Sequence, residues 1–102
     1  MEIELSEGIK EIGECAFRGC RGLREVTIPS SLGSIDYCAF FGCRFLQDVK
    51  IPENNRLGHI GGGAFRRTNL REIILSEDID TESSTFKPFP RWTRIKYRSL
   101  DT

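Results

Sequence analysis

Apolar and small residues recur along this chain in the same order every 23 residues. The stretch from Ile12 to Pro29 matches the stretch from Ile35 to Pro52 at 11 of 18 positions. A fixed period of this length is typical of a stacked solenoid, whose units bury their apolar sides only against one another. The matching pairs are Ile12/Ile35, Cys15/Cys38, Ala16/Ala39, Phe17/Phe40, Gly19/Gly42, Cys20/Cys43, Arg21/Arg44, Leu23/Leu46, Val26/Val49, Ile28/Ile51 and Pro29/Pro52. The pattern therefore predicts a repeat solenoid.

Each unit contains a segment in which polar and apolar residues alternate before a proline. In the pattern L-x-x-V-x-I-P, Val26 and Ile28 point to one side of an extended chain, as Val49 and Ile51 do in the next unit. Proline cannot donate a hydrogen bond to a strand ladder, so Pro29 ends the strand. We expect one short parallel strand per unit, stacked on one face of the solenoid.

The opposite side of each unit carries the pattern A-F-x-G-C, which suits a short helical turn or a tight loop. Its large aromatic residue recurs as Phe17, Phe40 and Phe65. Because equivalent positions on neighbouring coils lie about 4.8 Å apart, we expect the three rings to stack as an aromatic spine inside the solenoid.

The repeat predicts about three and a half units and a divergent carboxy-terminal part. The units are residues 1–11 (partial), 12–34, 35–59 and 60–75, the third of which has two residues inserted in a turn near Asn54. Residues 76–102 are expected to form a degenerate cap or tail, because solenoids need atypical terminal units. We expect Phe86 to Leu100 to fold over the last coil and Arg94 to Leu100 to supply a final strand. Disorder, or a truncated further repeat, is the alternative.

Charge and hydropathy remove several classes of partner. The chain of 102 residues has 15 basic and 15 acidic residues, so the net charge favours neither nucleic acid nor an anionic membrane. No apolar run approaches the roughly 18 residues of a membrane helix. The amino terminus lacks the pattern of a secretory signal. We expect either a cytoplasmic chain or a fragment of a surface or secreted protein.

The four cysteines follow the repeat. Their positions, 15, 20, 38 and 43, are a C-x4-C pair repeated once with the period of the array. Neighbouring coils place equivalent cysteines within reach of a disulfide, whereas a free cysteine packs as a small buried hydrophobe, which is the interpretation we favour. The C-x2-C spacing of structural zinc sites is absent.

These residues resemble the BspA-like class of leucine-rich repeats. The order I-G-x-x-A-F-x-x-C-x-x-L-x-x-V-x-I-P recurs in phase over residues 3 to 75, with departures at Asp36 and Gly63. The resemblance implies a right-handed solenoid with parallel strands on the concave face and short helical turns or loops on the convex face. It also implies a non-catalytic recognition or adhesion module, found at surfaces and within longer arrays, with no catalytic residues to carry over.

The sequence offers no convergent set of catalytic groups. Its single histidine, His59, takes an outward position and is expected to be a solvated surface residue. The run from Gly61 to Gly63 lacks the Lys-Ser/Thr of a phosphate loop, so we expect these glycines to relieve crowding instead. No enzyme activity, metal or cofactor is predicted.

The residues between the inward strand positions must face outward, and they form two columns. We interpret the columns as a recognition strip for a protein partner, against the alternative of a solvated charged face. The candidate residues are Glu4, Thr27, Lys50 and Ile74 in one column and Glu2, Glu25, Asp48 and Glu72 in the other.

Two other functions remain open at this point. The chain could be a structural segment of a longer array that self-associates through its open ends, or its basic and aromatic tail could contact a polyanion. Lys87, Arg91, Arg94, Lys96 and Arg98 make that tail basic, although acidic residues beside them disfavour nucleic acid.

Overall fold

A computed structural model of the chain describes residues 1–81 and 86–99. This described part contains eight short strands joined by turns and no helix, so the side opposite the strands is built from turns and loops and not from helical turns. The strands are β1 (Glu2–Glu4), β2 (Glu11–Ile12), β3 (Glu25–Thr27), β4 (Ser34–Ile35), β5 (Asp48–Lys50), β6 (His59–Ile60), β7 (Glu72–Ser76) and β8 (Arg94–Arg98).

The predicted parallel strands stack along one side of the molecule, which we call the strand side (β1, β3, β5, β7 and β8). Strands β1, β3 and β5 form one parallel sheet, and β7 and β8 form another. The register follows the repeat, since Val26 lies between Ile3 and Val49. Strands β5 and β7 contact each other without forming a ladder. The parallel solenoid expected from the sequence is confirmed, with a break in its sheet after β5.

A second parallel sheet of two-residue strands lies where the chain crosses between coils, on what we call the crossing side (residues 6–12, 29–35, 52–60 and 77–81). Its strand order is β2-β4-β6, with Ile12, Ile35 and Ile60 aligned and buried. An isolated parallel bridge from His59 to Asp80 continues this sheet into the last coil. The leucine and isoleucine of the crossing segment therefore return to the core, as the pattern predicts.

The third side, the turn side, comprises residues 13–22, 36–45, 61–69 and 86–92. Its backbone repeats one hydrogen bond from coil to coil, because the amides of Phe17, Phe40 and Phe65 donate to the carbonyls of Ala39, Ala64 and Pro88 at 2.7, 2.8 and 2.7 Å. Each bond holds a phenylalanine at the same place on its coil. The turns alone therefore bring equivalent rings into line.

The phenylalanine rings stack nearly parallel inside the turn side. Centroids of Phe17 and Phe40 are 5.1 Å apart and those of Phe40 and Phe65 are 5.2 Å apart, which confirms the predicted spine. Phe89 adds a fourth ring, 5.7 Å from Phe65, and the sequence analysis did not anticipate it.

The carboxy-terminal segment forms a further coil. Pro88 and Phe89 take the places of the repeat alanine and phenylalanine, and β8 pairs with β7 so that Ile95 lies beside Ile73 and Tyr97 beside Leu75. The predicted final strand is confirmed over Arg94–Arg98, whereas Leu100 lies outside the described residues.

Almost every fully buried side chain occupies a repeat position. One continuous cluster fills the interior between the three sides. Its largest members are Phe40, Phe65, Leu23, Ile28, Leu32, Ile35, Leu46, Ile60, Leu70, Ile73 and Leu75. Within the described ranges, no helix has the length and apolarity needed to cross a membrane.

Candidate binding surface

All eight residues of the predicted recognition strip lie on the strand side. Register pairing places Glu2, Glu25 and Asp48 in one column and Glu4, Thr27 and Lys50 in the other. Glu72 and Ile74 lie on β7, where they pair with Arg94 and Lys96 of β8. The sequence repeat did not reveal Arg94 and Lys96 as column members, because the insertions before β8 remove it from the 23-residue phase.

Ion pairs connect the two columns. Lys50 Nζ lies 3.3 Å from Glu25 Oε2, and Lys96 Nζ lies 3.4 Å from Glu72 Oε1. Both lysines are more than half exposed, so water and salt screen these pairs and each stabilises the fold by about 1 kcal/mol or less. Their main effect is to orient side chains on a surface where like charges would otherwise stack.

Ile74 remains an exposed apolar member of the strip. The carboxy-terminal coil does not cover it, and its side is 40% exposed. Beside it, the break between β5 and β7 opens a cleft of about 290 Å³ whose lining includes Val49, Ile73 and Arg98. The strip thus has an apolar centre between charged neighbours.

A second open cleft, of about 540 Å³, adjoins the strip at the carboxy-terminal end. It is lined by Asn69, Arg71, Glu72, Trp92 and Arg94. Trp92 is 64% exposed, although it stands where earlier units place the buried Leu23, Leu46 and Leu70. The sequence contained the signal for this position, an L-to-W replacement, but the shifted phase of the last coil concealed it.

The cysteines lie on the turn side, away from these clefts. All four are free thiols, with Cys38 and Cys43 buried and Cys15 and Cys20 partly buried. The Cys43 thiol donates to the Phe17 carbonyl at 3.0 Å, and burial raises the pKa of Cys43 to about 11. A thiol held neutral in this way acts as a core residue and not as a nucleophile.

Backbone conformation explains why one cysteine gives way to glycine in the third unit. Cys15 and Cys38 both have positive φ, 58° and 54°, and Gly63 occupies the same position with a φ of 66°. Glycine adopts this left-handed conformation without steric cost. The departure from the family pattern at this position therefore preserves the fold.

His59 is not the solvated residue expected from the sequence. Its Nδ1 lies 3.1 Å from Asp80 Oδ2, and the histidine side chain is 35% exposed. The pairing was invisible in the sequence because Asp80 reaches the histidine only through stacking of the last coil.

The glycine run at Gly61 serves close packing. A Cβ on Gly61 would lie 2.7 Å from the Tyr37 nitrogen, and a Cβ on Gly63 would overlap the ring of Phe86. The expectation that these glycines relieve crowding is confirmed. Within residues 1–81 and 86–99, no group of three or more His, Cys, Asp or Glu side chains could hold a metal ion.

Comparison with known proteins identifies the repeat. The profile described as "BspA type Leucine rich repeat region" matches residues 1–100 in six copies. The chain belongs to the BspA-type leucine-rich repeat family. No curated protein matches the chain.

A solved structure shows the same fold. The crystal structure of a leucine-rich repeat protein from Bacteroides ovatus is 36% identical to this BspA-type chain and superposes with a TM-score of 0.68. The match covers 76% of this chain and 20% of the other, so this chain spans about one fifth of that protein's length.

Proposed function

We propose that this BspA-type repeat chain is a non-catalytic protein-binding or adhesion module and that its partner contacts the strand side. The observation that supports this most is the alignment of outward residues in two columns over successive coils. Stacked coils give such columns an extended and regular surface, which repeat proteins use for partner recognition.

The chemistry of the strand side fits a protein partner. Its rim is charged, and the exposed Ile74 and Trp92 lie beside clefts where side chains of a partner could enter. Tryptophan and arginine are over-represented among residues that dominate binding energy, and Arg71 and Arg94 flank Trp92. Acidic side chains of the strip would direct the orientation of the bound partner.

The first experiment removes the charge of the acidic column. A variant with Glu25→Gln, Asp48→Asn and Glu72→Gln avoids the new repulsion that lysines would create beside Lys50 and Lys96. Its matched control carries Glu11→Gln, Glu53→Gln and Asp78→Asn, three exposed acidic residues of the crossing side. Both variants change the net charge by the same amount.

Quantitative pull-down from a matched lysate compares the two variants with the unmodified chain. We expect a partner that the control retains and the strand-side variant loses by about tenfold or more. Equal recovery by both variants would contradict a role for the acidic column. Capture of nothing specific by the unmodified chain would favour the structural, self-associating alternative, which light scattering over a range of concentrations would then detect.

A further inference from the structure

The three sides of the solenoid differ in charge although the whole chain is neutral. The turn side holds seven basic residues and only two acidic ones, Glu14 and Asp36, whereas the described crossing side holds six acidic and two basic residues. Six of the seven basic residues on the turn side are exposed and the seventh is partly exposed. A net charge of zero therefore conceals one strongly basic surface.

Three arginines of this side pack on two phenylalanine rings. The guanidinium carbons of Arg18 and Arg67 lie 5.3 and 5.8 Å from the centroid of Phe41, and that of Arg66 lies 5.3 Å from the centroid of Phe86. The two rings are themselves 6.0 Å apart. We call Arg18, Phe41, Arg66, Arg67 and Phe86 the arginine–phenylalanine cluster.

The cluster holds its arginines in place while leaving their hydrogen-bond donors available. Stacking on a ring fixes the plane of a guanidinium, and the ring accepts none of its five N–H donors in the way a carboxylate would. Among the described residues, none of these three arginines forms an ion pair with a carboxylate. Such arginines are preorganised to bind an external anion in a bidentate manner.

The backbone at Arg67 supports a role beyond folding. Arg67 has a φ of 58° at the position where the two preceding units have Gly19 and Gly42, with φ of 73° and 79°. A residue other than glycine is strained in this conformation. The third unit accepts that strain and gains a guanidinium over Phe41.

We propose that the turn side is a second binding surface and that it takes an acidic, Asp/Glu-rich segment of a protein partner. Carboxylates match the fork of the guanidinium, and the exposed Tyr37 and Phe45 on the same side, 48% and 54% exposed, add the aromatic contacts typical of protein interfaces. This surface is separate from the strand side, so neither assignment depends on the other.

The first test measures binding of a fluorescein-labelled peptide of about twelve glutamates by fluorescence anisotropy at low salt. The turn-side variant carries Arg18→Gln, Arg66→Gln and Arg67→Gly. The matched control carries Arg24→Gln, Arg71→Gln and Arg94→Gln, three exposed arginines of the strand side. Both variants lose three positive charges, so only the location of the charge differs.

We expect the turn-side variant to bind the peptide about tenfold more weakly and the control to stay within about twofold of the unmodified chain. Equal loss in both variants would reduce the effect to net charge and overturn the proposal. Unchanged binding by the turn-side variant would do the same, as would tighter binding of an oligothymidylate or a sulfated oligosaccharide of equal charge.

The single substitution Arg67→Gly separates binding from folding. Because glycine relieves the left-handed strain, we expect a melting temperature no lower than that of the unmodified chain together with weaker peptide binding. A clearly lower melting temperature would assign Arg67 to packing. Arg21→Gln with Arg44→Gln is a second variant, since both side chains are exposed, and unchanged peptide affinity there would confine the site to the cluster.

Discussion

Phe40 is the most enclosed ring of the core. It is fully buried between Phe17 and Phe65 at centroid distances of 5.1 and 5.2 Å. Removing it would leave a cavity with an aromatic ring on either side, in a close-packed interior that relaxes only in part.

We expect Phe40→Ala to lower the free energy of unfolding by about 3 to 5 kcal/mol, which is a large part of the stability of a small domain. Phe17→Ala is the control, because Phe17 is only partly buried and has a ring on one side. Urea denaturation of both variants measures the difference. Equal losses, or a melting temperature of Phe40→Ala within a few degrees of the unmodified chain, would refute a load-carrying role for the central ring.

The buried thiol of Cys43 makes stability depend on alkaline pH. Its pKa is raised from 9.0 in the unfolded reference to about 11 by burial. A raised pKa means that the unfolded chain loses the proton first, so the stabilisation is complete below pH 9 and is lost as pH rises toward 11. We expect a loss of about 2 kcal/mol by pH 11 from this group.

Chemical denaturation at pH 8 and pH 10.5, compared between the unmodified chain and Cys43→Ala, tests this dependence. The unmodified chain should lose more stability than the variant over that interval. The same pH slope in both would show that the Cys43 thiol does not cause it.

At the scale of the elements, each strand is too short to be stable alone. Strands of two to five residues form only because neighbouring coils supply their hydrogen-bond partners. The distance between coils is therefore critical, and Gly61 is where two coils come closest, with its hydrogens facing the backbone of Asp36 and Tyr37.

We expect Gly61→Ala to destabilise the fold by about 1 to 3 kcal/mol, because the added methyl group meets backbone that cannot rotate away. Gly22→Ala is the matched control, since a Cβ there meets nothing within 4 Å. Thermal melts followed by circular dichroism compare them. A Gly61→Ala melt as high as that of Gly22→Ala would mean that the coils separate at little cost.

At the scale of the whole molecule, the carboxy-terminal segment completes the solenoid. Phe89 is 6% exposed and stacks on Phe65, while β8 pairs with all five residues of β7. The division into an array over residues 1–75 and a cap or tail over 76–102 stays a prediction. The contacts of Phe89 nevertheless connect the folding of both parts.

We expect Phe89→Ala to lower the free energy of unfolding by about 3 kcal/mol, because it uncovers Phe65. Trp92→Ala, at a side chain 64% exposed in the same segment, should cost about 1 kcal/mol or less. Hydrogen exchange of the amides of β7 in both variants measures whether the effect spreads. Equal protection of β7 in both would show that the segment docks without stabilising the array.

Local pattern was enough to predict most of the core and the strand side. Val26, Val49 and Ile73 point inward, and Glu25 and Asp48 point outward, because alternation along a strand is a property of the backbone itself. Repetition at 23 residues then sets the register, since only an in-phase stack buries every apolar position at once. For the same reason the phenylalanine spine could be predicted, apart from Phe89, whose coil is out of phase.

The sequence by itself determined the parallel solenoid, its inward and outward residues and its repeat family. Only the tertiary structure decided the break between β5 and β7, the pairing of His59 with Asp80, the exposure of Trp92 and the arginine–phenylalanine cluster. The physical reason is that periodic features follow from alternation and stacking, which each unit encodes locally. The other features depend on insertions and on contacts between side chains of different coils, whose positions are known only once the coils are stacked.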